Sequence, residues 1–389
     1  KKIVKELSSA KYQGRGYAED GANKAGKWIA KEFTKAGADE VTCQPFKLNI
    51  NTFPGKMDVR VDGKKLTPGV DFTLREFNPG LKGEFKLYYV DMENFDEEKM
   101  LADLATPEYQ GAMVVCDFMF TYKHTQAFRK LASKKECSNA GMVYTLKFYK
   151  AYGEVVREKP ILWVKPDFPK NAKTIKVNME NKFLQDYECF NVIAKVEGNR
   201  HDSCYVFTAH YDHLGKLGKK TFYPGAHDNA SGTAAIITFA AHYAKNKPEF
   251  DMYFIAFSGE DANLRGSDWY VEHPIVPLSQ IKFLFNLDMI ADNNPKQYCE
   301  FNDVAMEGYA LFDKINAEKG YFEALDRHEL DENSDHWPFA KKNVPVVFFM
   351  NEHGDAYKYY HTVHDTYQNH ISTNYEPSFK IIEDFIKRY

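Results

Sequence analysis

The alternation of strands and helices in the second half of this 389-residue chain constrains the fold more than any other feature. Four short apolar runs are each followed by a segment with helical periodicity. The runs lie at residues 203–209, 252–258, 281–287 and 344–350, and helices are expected at 231–246, 264–272, 304–319 and 376–388. Strands that are apolar along their whole length are buried on both faces, as in sheets covered by helices. The pattern therefore predicts a three-layer α/β/α fold with a mixed, largely parallel central sheet.

The first 185 residues show two other patterns. Residues 19–37 carry apolar side chains at three- and four-residue steps and end at Gly37, which predicts an amphipathic helix. Residues 41–185 contain short alternating or apolar runs separated by Pro–Gly turns, with one helix expected near 124–135. Most of this region is therefore predicted to form β-structure.

These patterns predict two domains. Residues 1–50 and 186–389 would form the main α/β domain, and residues 51–185 would form a β-rich domain inserted into it. The boundary is drawn where short β-runs give way, near residue 187, to the regular alternation of strand and helix.

Composition and charge exclude several classes of partner. Apolar residues make up 44% and charged residues 27% of the chain, as in ordinary globular proteins. The net charge of -4 gives no reason to expect nucleic acid as a partner. No segment approaches the roughly 18 consecutive apolar residues that a membrane-spanning helix needs. The oligomeric state is not indicated.

The cysteines are expected to be free. They are far apart and form no CxxC pair, unlike a disulfide framework or a cysteine zinc site. The six are Cys43, Cys116, Cys137, Cys189, Cys204 and Cys299.

Side chains that can bind a metal follow each of the four predicted strands. They are His210 and Asp212, Asp228 before the next helix, Glu260 and Asp261, Asp288, and Tyr360 and His361. Singly, each has a simpler explanation, such as a loop histidine or a helix N-cap. Jointly, one site at the carboxyl edge of the sheet explains them all. Imidazole and carboxylate without thiolate suit zinc or another divalent metal.

In order and spacing, these motifs resemble those of the co-catalytic zinc exopeptidases, which include bacterial leucyl aminopeptidases and glutamate carboxypeptidase. The resemblance covers roughly residues 13–45 and 187–389. It rests on HYDH at 210–213, GAHDNASG at 225–232, SGED at 258–261, NLDM at 286–289 and YYHT at 359–362. The resemblance implies a zinc-dependent peptidase that binds two Zn²⁺ ions per chain and takes a peptide as its substrate.

The resemblance also implies the ligands of both ions. His210 and Asp288 would bind one zinc, Asp261 and His361 would bind the other, and Asp228 would bridge them. Such a bridge holds two metals close together, so that a shared hydroxide becomes nucleophilic near neutral pH.

Three further residues would support the reaction. By the same resemblance Glu260 would be the general base, Asp212 would orient His210, and Tyr360 would stabilise the oxyanion. Residues 50–185 and the segment 334–336 would border the substrate pocket.

Four residues near the motifs differ from the family pattern. One is a substitution, and three are additional histidines. Asp261 stands where many members have glutamate, so the second metal would be held differently or more weakly. His213, His227 and His364 are not needed by the pattern, and we expect them to line the pocket or to be solvated.

Several alternatives stay open. Glutaminyl cyclases share the architecture but use one zinc and lack the complete ligand set, and receptor-like relatives of the fold have lost catalysis. A carboxypeptidase would need Arg or Lys to pair with a terminal carboxylate, and only Arg265 is close in sequence. The acid-rich motifs favour an aminopeptidase.

The native compartment is predicted from the start of the chain. Lys1-Lys2-Ile3 has no initiator Met and no apolar leader. The expectation is an exported protein, periplasmic or extracellular, from which a signal peptide has been removed.

Overall fold

The computed structural model of the chain describes residues 1–133, 141–145, 152–291, 295–350, 357–369 and 376–389. Contacts within it separate two compact units. The main unit consists of Lys1–Leu48, Asp186–Gly215 and Tyr223–Tyr389, and the inserted unit consists of Asn49–Gln185 and Lys216–Phe222.

The described residues form the following strands: β1 Glu40–Thr52, β2 Met57–Val61, β3 Lys64–Leu66, β4 Phe72–Leu74, β5 Leu81–Tyr89, β6 Met113–Asp117, β7 Gly141–Tyr144, β8 Ile161–Val164, β9 Thr174–Met179, β10 Lys182–Val196, β11 Arg200–His210, β12 Lys216–Leu217, β13 Thr221–Phe222, β14 Phe250–Phe257, β15 Ile281–Asp288, β16 Lys296–Phe301, β17 Ala324–His328 and β18 Val346–Met350. They form the following α-helices: α1 Lys2–Leu7, α2 Gly21–Ala36, α3 Glu97–Ala105, α4 Phe118–Lys123, α5 Thr125–Ser133, α6 Ala230–Lys245, α7 Arg265–Glu272, α8 Met306–Lys319, α9 His336–Ala340 and α10 Glu376–Arg388.

The main sheet has the order β1-β10-β14-β11-β15-β18-β16-β17. Its four central strands, β14, β11, β15 and β18, are parallel to one another, while β10 and β16 pair antiparallel on either side of them. The four central strands are the four apolar runs of the sequence. The predicted α/β fold with a mixed, largely parallel sheet is therefore confirmed.

Alternate side chains of the central strands bury the two faces of this sheet under different helices. On one face Phe207 stacks on Phe254 and Phe285, at centroid distances of 5.1 and 4.9 Å, and also packs against Phe239 of α6. On the other face Val206 belongs to a cluster that includes residues of α7 and α9. Each fully buried aromatic ring contributes about 1.5–3 kcal/mol relative to an exposed one. Helices on both faces complete the predicted three layers.

Three strands of the main sheet, β10, β16 and β17, were not predicted. In β16 the reason is that polar residues occupy positions that are completely buried, Gln297 and Glu300. Gln297 donates from Nε2 to the carbonyl oxygen of Met350 and accepts from Ser378 Oγ. Tertiary hydrogen bonds thus replace the apolar pattern on which the prediction relied.

The inserted unit contains a second eight-stranded sheet with the order β3-β2-β9-β5-β6-β7-β8-β4. The prediction of a single helix near 124–135 corresponds to α5 and missed α3 and α4. Because β5, β6 and β7 are parallel, each connection must cross over, and helices usually form such crossovers. In α3 the side chain of Asp96 caps the first turn, and Met100 and Leu104 are buried.

One short segment falls in a different unit from the predicted one. Residues Lys216–Phe222, which the sequence pattern assigned to the main domain, belong to the inserted unit. They form the β12–β13 hairpin, in which Gly218 N donates to the carbonyl oxygen of Phe53 at 2.7 Å.

Five of the six cysteines lie within the described residues. Cys43, Cys116, Cys189, Cys204 and Cys299 are free, as expected, and Cys137 lies outside the described residues. None of the helices within the described residues has the length and apolar character needed to cross a bilayer.

Candidate metal centre

The parallel strands bring the predicted site residues to one edge of the main sheet. His210 and Asp288 are the last residues of β11 and β15, and Asp288 is in register with Met350 at the end of β18. Glu260 and Asp261 follow the end of β14. This is the carboxyl edge, where ligands bind in sheets of this class.

Asp228 reaches the site from the loop before α6. The N-cap of α6 is Asn229, whose Oδ1 accepts from Gly232 N at 2.8 Å. The capping role that the sequence left open for the Asp228-Asn229 pair therefore belongs to Asn229. The Asp228 carboxylate faces the histidines.

One group of possible metal ligands surrounds His210. Its Nε2 lies 3.2 Å from Asp228 Oδ1 and 3.4 Å from Asp288 Oδ1. Tetrahedral zinc with bonds of about 2.0–2.1 Å separates its ligand atoms by about 3.3 Å. Each of the two carboxylates therefore lies at about this separation from the imidazole of His210.

A second group surrounds His361. Its Nε2 lies 3.1 Å from Asp228 Oδ2 and 3.5 Å from Asp261 Oδ1. Asp228 thus turns one carboxylate oxygen to each imidazole. Three carboxylates and two imidazoles meet here with little exposure, and this oxygen and nitrogen donor set fits zinc.

Burial and neighbouring imidazoles set the charge of Asp228. Burial opposes its ionisation, but His213, His210 and His361 outweigh burial and hold the pKa of Asp228 well below the usual range. The carboxylate is therefore ionised at neutral pH.

Glu260 lies beside the His210 group. Its Oε2 is 3.8 Å from His210 Nε2, and the ligand atoms of His210, Glu260 and Asp288 lie within 4.8 Å of one another. Burial raises the pKa of Glu260 well above that of an ordinary glutamate, against the opposing charge of His210. A carboxyl group whose pKa is raised by burial can serve as a general acid or base.

Asp212 holds the backbone near Glu260. Its carboxylate accepts from Tyr17 OH at 2.7 Å and from Glu260 N at 3.3 Å. It was predicted to orient His210, but its Oδ1 is 3.8 Å from His210 Nδ1, whereas the Asp212 carbonyl oxygen is at 3.3 Å. Burial raises the pKa of Asp212 to about 6.

A cavity of about 150 Å³ opens at this centre. Its polar lining includes the side chains of His210, Asp228, Asp288 and His361 together with Glu260 and Tyr360. Its remaining wall is formed by Met289, Asn333, Phe348 and Met350. Tyr360 stacks on His361 with ring centroids 3.9 Å apart.

The histidines expected to line the pocket or to be solvated differ from one another. His364 is exposed, but His213 and His227 are buried. Neither of these two belongs to the cavity wall, and His213 Nδ1 lies 3.1 Å from Asp261 Oδ2. The expectation was therefore wrong for His213 and His227.

Sequence reasoning missed Arg15 as a residue that organises the site. Arg15 is completely buried and donates to five carbonyl oxygens. The acceptors are those of Leu7, Tyr211, Pro224, Gly225 and Asp228. The segments that carry Asp212 and Asp228 are thereby joined. The sequence Gly14-Arg15-Gly16 was the only signal, because the carbonyl groups that accept these hydrogen bonds cannot be recognised in a sequence.

Two other supporting residues were not anticipated in these roles. Asp365 accepts from the backbone amides of His227 and Asp228, at 2.8 and 3.0 Å. Ser334 donates to Asp288 Oδ2 at 2.9 Å. Segment 334–336 was predicted to border the pocket, and Ser334 instead holds a carboxylate of the site.

Two solved structures of aminopeptidases share the fold of this chain. The chain superposes on the zinc aminopeptidase BSAP from Bacillus subtilis with a TM-score of 0.71 at 20% identity, covering 99% of this chain and 91% of that chain. An aminopeptidase from Aneurinibacillus sp. strain AM-1 gives a TM-score of 0.66 at 19% identity, covering 99% and 92%. At these identities the likeness concerns the fold.

Residues 191–386, half of the chain, match peptidase family M28, and the protein belongs to this family. The resemblance to zinc exopeptidases is thereby confirmed. Aminopeptidase YwaD from Bacillus subtilis (strain 168) is 30% identical over 188 residues, 46% of this chain and 39% of that protein. A probable leucine aminopeptidase from Arthroderma otae is 28% identical over 214 residues, 48% of this chain and 54% of that protein. The matches thus span about half or less of these curated relatives.

Proposed function

We propose that this protein is a zinc-dependent aminopeptidase that removes N-terminal residues from peptides and binds two zinc ions per chain. One observation carries the proposal: the two oxygens of Asp228 lie 3.2 Å from His210 Nε2 and 3.1 Å from His361 Nε2. A shared carboxylate between two ligand groups is typical of two-metal hydrolases. The proposed function is also supported by membership of peptidase family M28 and by relatives that are named as aminopeptidases.

The ligand assignment follows from the two groups. His210 and Asp288 would hold one zinc ion, Asp261 and His361 the other, and Asp228 both. When bound, zinc acts as a Lewis acid that polarises the scissile carbonyl and makes water more acidic.

Glu260 is the proposed general base. Its raised pKa suits a group that takes a proton from the attacking water and passes it to the leaving amine. The Asp212 carboxylate accepts a hydrogen bond from the backbone amide of Glu260. This hydrogen bond would keep the Glu260 side chain in position relative to His210.

Tyr360 is the proposed oxyanion donor. It lines the cavity and stacks on His361. Burial raises the pKa of Tyr360 well above its usual value, so the hydroxyl stays protonated and can donate to a developing negative charge.

The cavity lining supports an aminopeptidase that accepts an apolar residue. Among the described residues that line the cavity none is lysine or arginine, whereas a carboxypeptidase needs a cation for the terminal carboxylate. The carboxylates of the site would attract the substrate ammonium group. Met289, Phe348 and Met350 offer an apolar surface to the side chain that is removed.

The alternatives receive less support. A glutaminyl-cyclase-like acyltransferase would need only one zinc ion, and its mechanism would not explain the second ligand group around His361. A receptor-like relative would not need a carboxyl group beside the ligands, and Glu260 lies there with a raised pKa.

A panel of substrates tests the proposal. Leucyl, methionyl and phenylalanyl anilides should be hydrolysed faster than aspartyl or lysyl anilides. N-acetylated peptides should not be cleaved, because they lack the ammonium group. Chelation should abolish hydrolysis, and zinc, but not calcium, should restore it. Cleavage from the C-terminus, or activity that survives complete chelation, would overturn the proposal.

Export to the periplasm or the extracellular space stays our prediction. Fractionation of the source cells, with an antibody against the chain, tests it. Recovery of the protein with cytoplasmic markers would contradict it.

A further inference from the structure

His213 is a second imidazole beside the carboxylates that His361 contacts. Its Nδ1 lies 3.1 Å from Asp261 Oδ2 and 3.7 Å from Asp228 Oδ2. His361 Nε2 contacts the same two residues, at 3.5 Å from Asp261 and 3.1 Å from Asp228. The two rings are 5.9 Å apart and inclined at 67°. Two imidazoles therefore approach one pair of carboxylates.

The surroundings of His213 keep its ring in this position. The residue is completely buried, and its backbone amide donates to the carbonyl oxygen of Arg15. Gly225, with φ of 60°, leaves the space that the ring needs, because a Cβ there would lie only 2.4 Å from the Cδ2 atom of His213. A rigidly held imidazole loses little entropy when it binds an ion.

The two ligand groups consequently differ in composition. The His210 group offers one imidazole and two carboxylates and opens on the cavity. With His213 the other group offers two imidazoles and two carboxylates, four protein donors in all. Zinc sites with four protein ligands are typically structural, and sites with three keep a position open for water or substrate.

We propose that His213 is a further ligand, through Nδ1, of the metal ion held by Asp228, Asp261 and His361. The inference rests on the proposed two-metal function and extends its ligand set. It also gives the shorter side chain of Asp261 a physical explanation, since His213 adds a donor on the side where Asp261 lies.

Cobalt binding to a cysteine variant tests the ligand role without measuring activity. Nδ1 is bonded directly to Cγ, and a metal–sulfur bond is about 2.3 Å long, so the thiolate of His213→Cys would reach nearly the same point. Titration of the metal-free variant with Co²⁺ should give an intense near-ultraviolet thiolate-to-cobalt band. His364→Cys, a matched change at an exposed histidine, should give none. A folded His213→Cys variant without the band would overturn the proposal.

Zinc affinity of a second variant separates ligation from hydrogen bonding. In His213→Gln an amide can still donate to Asp261 but is a poor zinc ligand. The variant should retain one ion per chain and bind the other at least about tenfold more weakly than the unaltered protein, as measured by chelator competition. Unchanged affinity for both ions would contradict the ligand role.

A measurement on the unaltered chain covers the case in which the variants do not fold. With ¹¹³Cd bound and histidines labelled with ¹⁵N, a one-bond cadmium–nitrogen coupling to His213 Nδ1 is expected, and its absence would overturn the proposal. Failure of the chain to bind any metal would instead refute the proposed function. Two bound ions and peptide hydrolysis without this coupling would refute the role of His213 alone.

Discussion

The backbone amide of Asp228 donates a hydrogen bond to the side chain of Asp365, with a nitrogen–oxygen distance of 3.0 Å. Asp365 also accepts a hydrogen bond from the backbone amide of His227, at 2.8 Å. A carboxylate that is 137 residues away in sequence thus holds the loop from which the shared ligand reaches both imidazoles.

Asp365→Asn should weaken metal binding without unfolding the chain. The amide replaces one acceptor oxygen by a donor that faces a backbone N–H, so the loop of Asp228 loses part of its support. We expect a loss of zinc affinity of about 10–100-fold, the range seen for residues that support metal ligands. Zinc content after dialysis against a chelator measures the effect. Asp303→Asn, at an exposed carboxylate, is the control, and equal zinc retention in both variants would refute the prediction.

Glu260→Gln should separate catalysis from metal binding. The amide fills the same space but cannot accept a proton, so kcat should fall by about 10²–10⁴-fold while the zinc content stays unchanged. Steady-state kinetics and elemental analysis of the same sample give both values. Glu272→Gln, at an exposed position, should behave as the unaltered protein.

Loss of zinc in Glu260→Gln would identify Glu260 as a ligand instead. The ligand atoms of His210, Glu260 and Asp288 lie within 4.8 Å of one another, so Glu260 is close enough to be a ligand. The zinc content of this variant therefore tests whether Glu260 is a base or a ligand.

Arg15→Met should destabilise the main unit. Five buried carbonyl oxygens would lose a charged donor, and each buried acceptor left without a partner costs about 1–3 kcal/mol. Because these costs are not additive, we expect a loss of at least about 3 kcal/mol in the free energy of unfolding. Urea denaturation measures it. Arg129→Met, at an exposed arginine, should change stability little, and an equally small effect at Arg15 would contradict the reasoning.

Glu300 should make stability depend on acid pH. Burial opposes its ionisation, but hydrogen bonds from His336, Tyr298 and the Asp331 amide outweigh burial and lower the pKa of Glu300. An acid whose pKa is lower in the folded state stabilises the fold above its unfolded pKa, about 4.3 for glutamate, and loses this contribution as the pH falls through the folded value. The melting temperature of Glu300→Gln should thus be lower than that of the unaltered chain at neutral pH.

The difference in melting temperature between Glu300→Gln and the unaltered chain should become smaller at acid pH. Melting curves recorded at successive pH values below about 4 should converge as Glu300 becomes protonated in the unaltered chain. If the difference in melting temperature stays constant over this pH range, Glu300 contributes to stability through its shape and not through its charge.

The periodicity of the chain is sufficient to predict the central strands and helices of the main unit. Hydrophobic runs such as 281–287 are local signals, because burial on both faces of a sheet requires apolar side chains at every position. The order of strands followed by His, Asp and Glu likewise indicates a metal site through residue types alone. The rule that parallel strands end at one edge connects these local signals to one place.

Strand β16 and the helices α3 and α4 were not predictable in the same way. Gln297 and Glu300 are buried only because distant residues supply their hydrogen bonds, so their polarity misleads a local rule. The helices α3 and α4 connect parallel strands, and the strand direction depends on pairing between distant segments.

Residue types and their order along the chain were enough to propose the fold, the metal chemistry and the ligands. The supporting contacts required the folded chain. His213 and His364 are both histidines close to a motif, yet one is completely buried against Asp261 and the other is exposed. Burial and hydrogen bonding depend on which distant segments meet, and that information exists only in three dimensions.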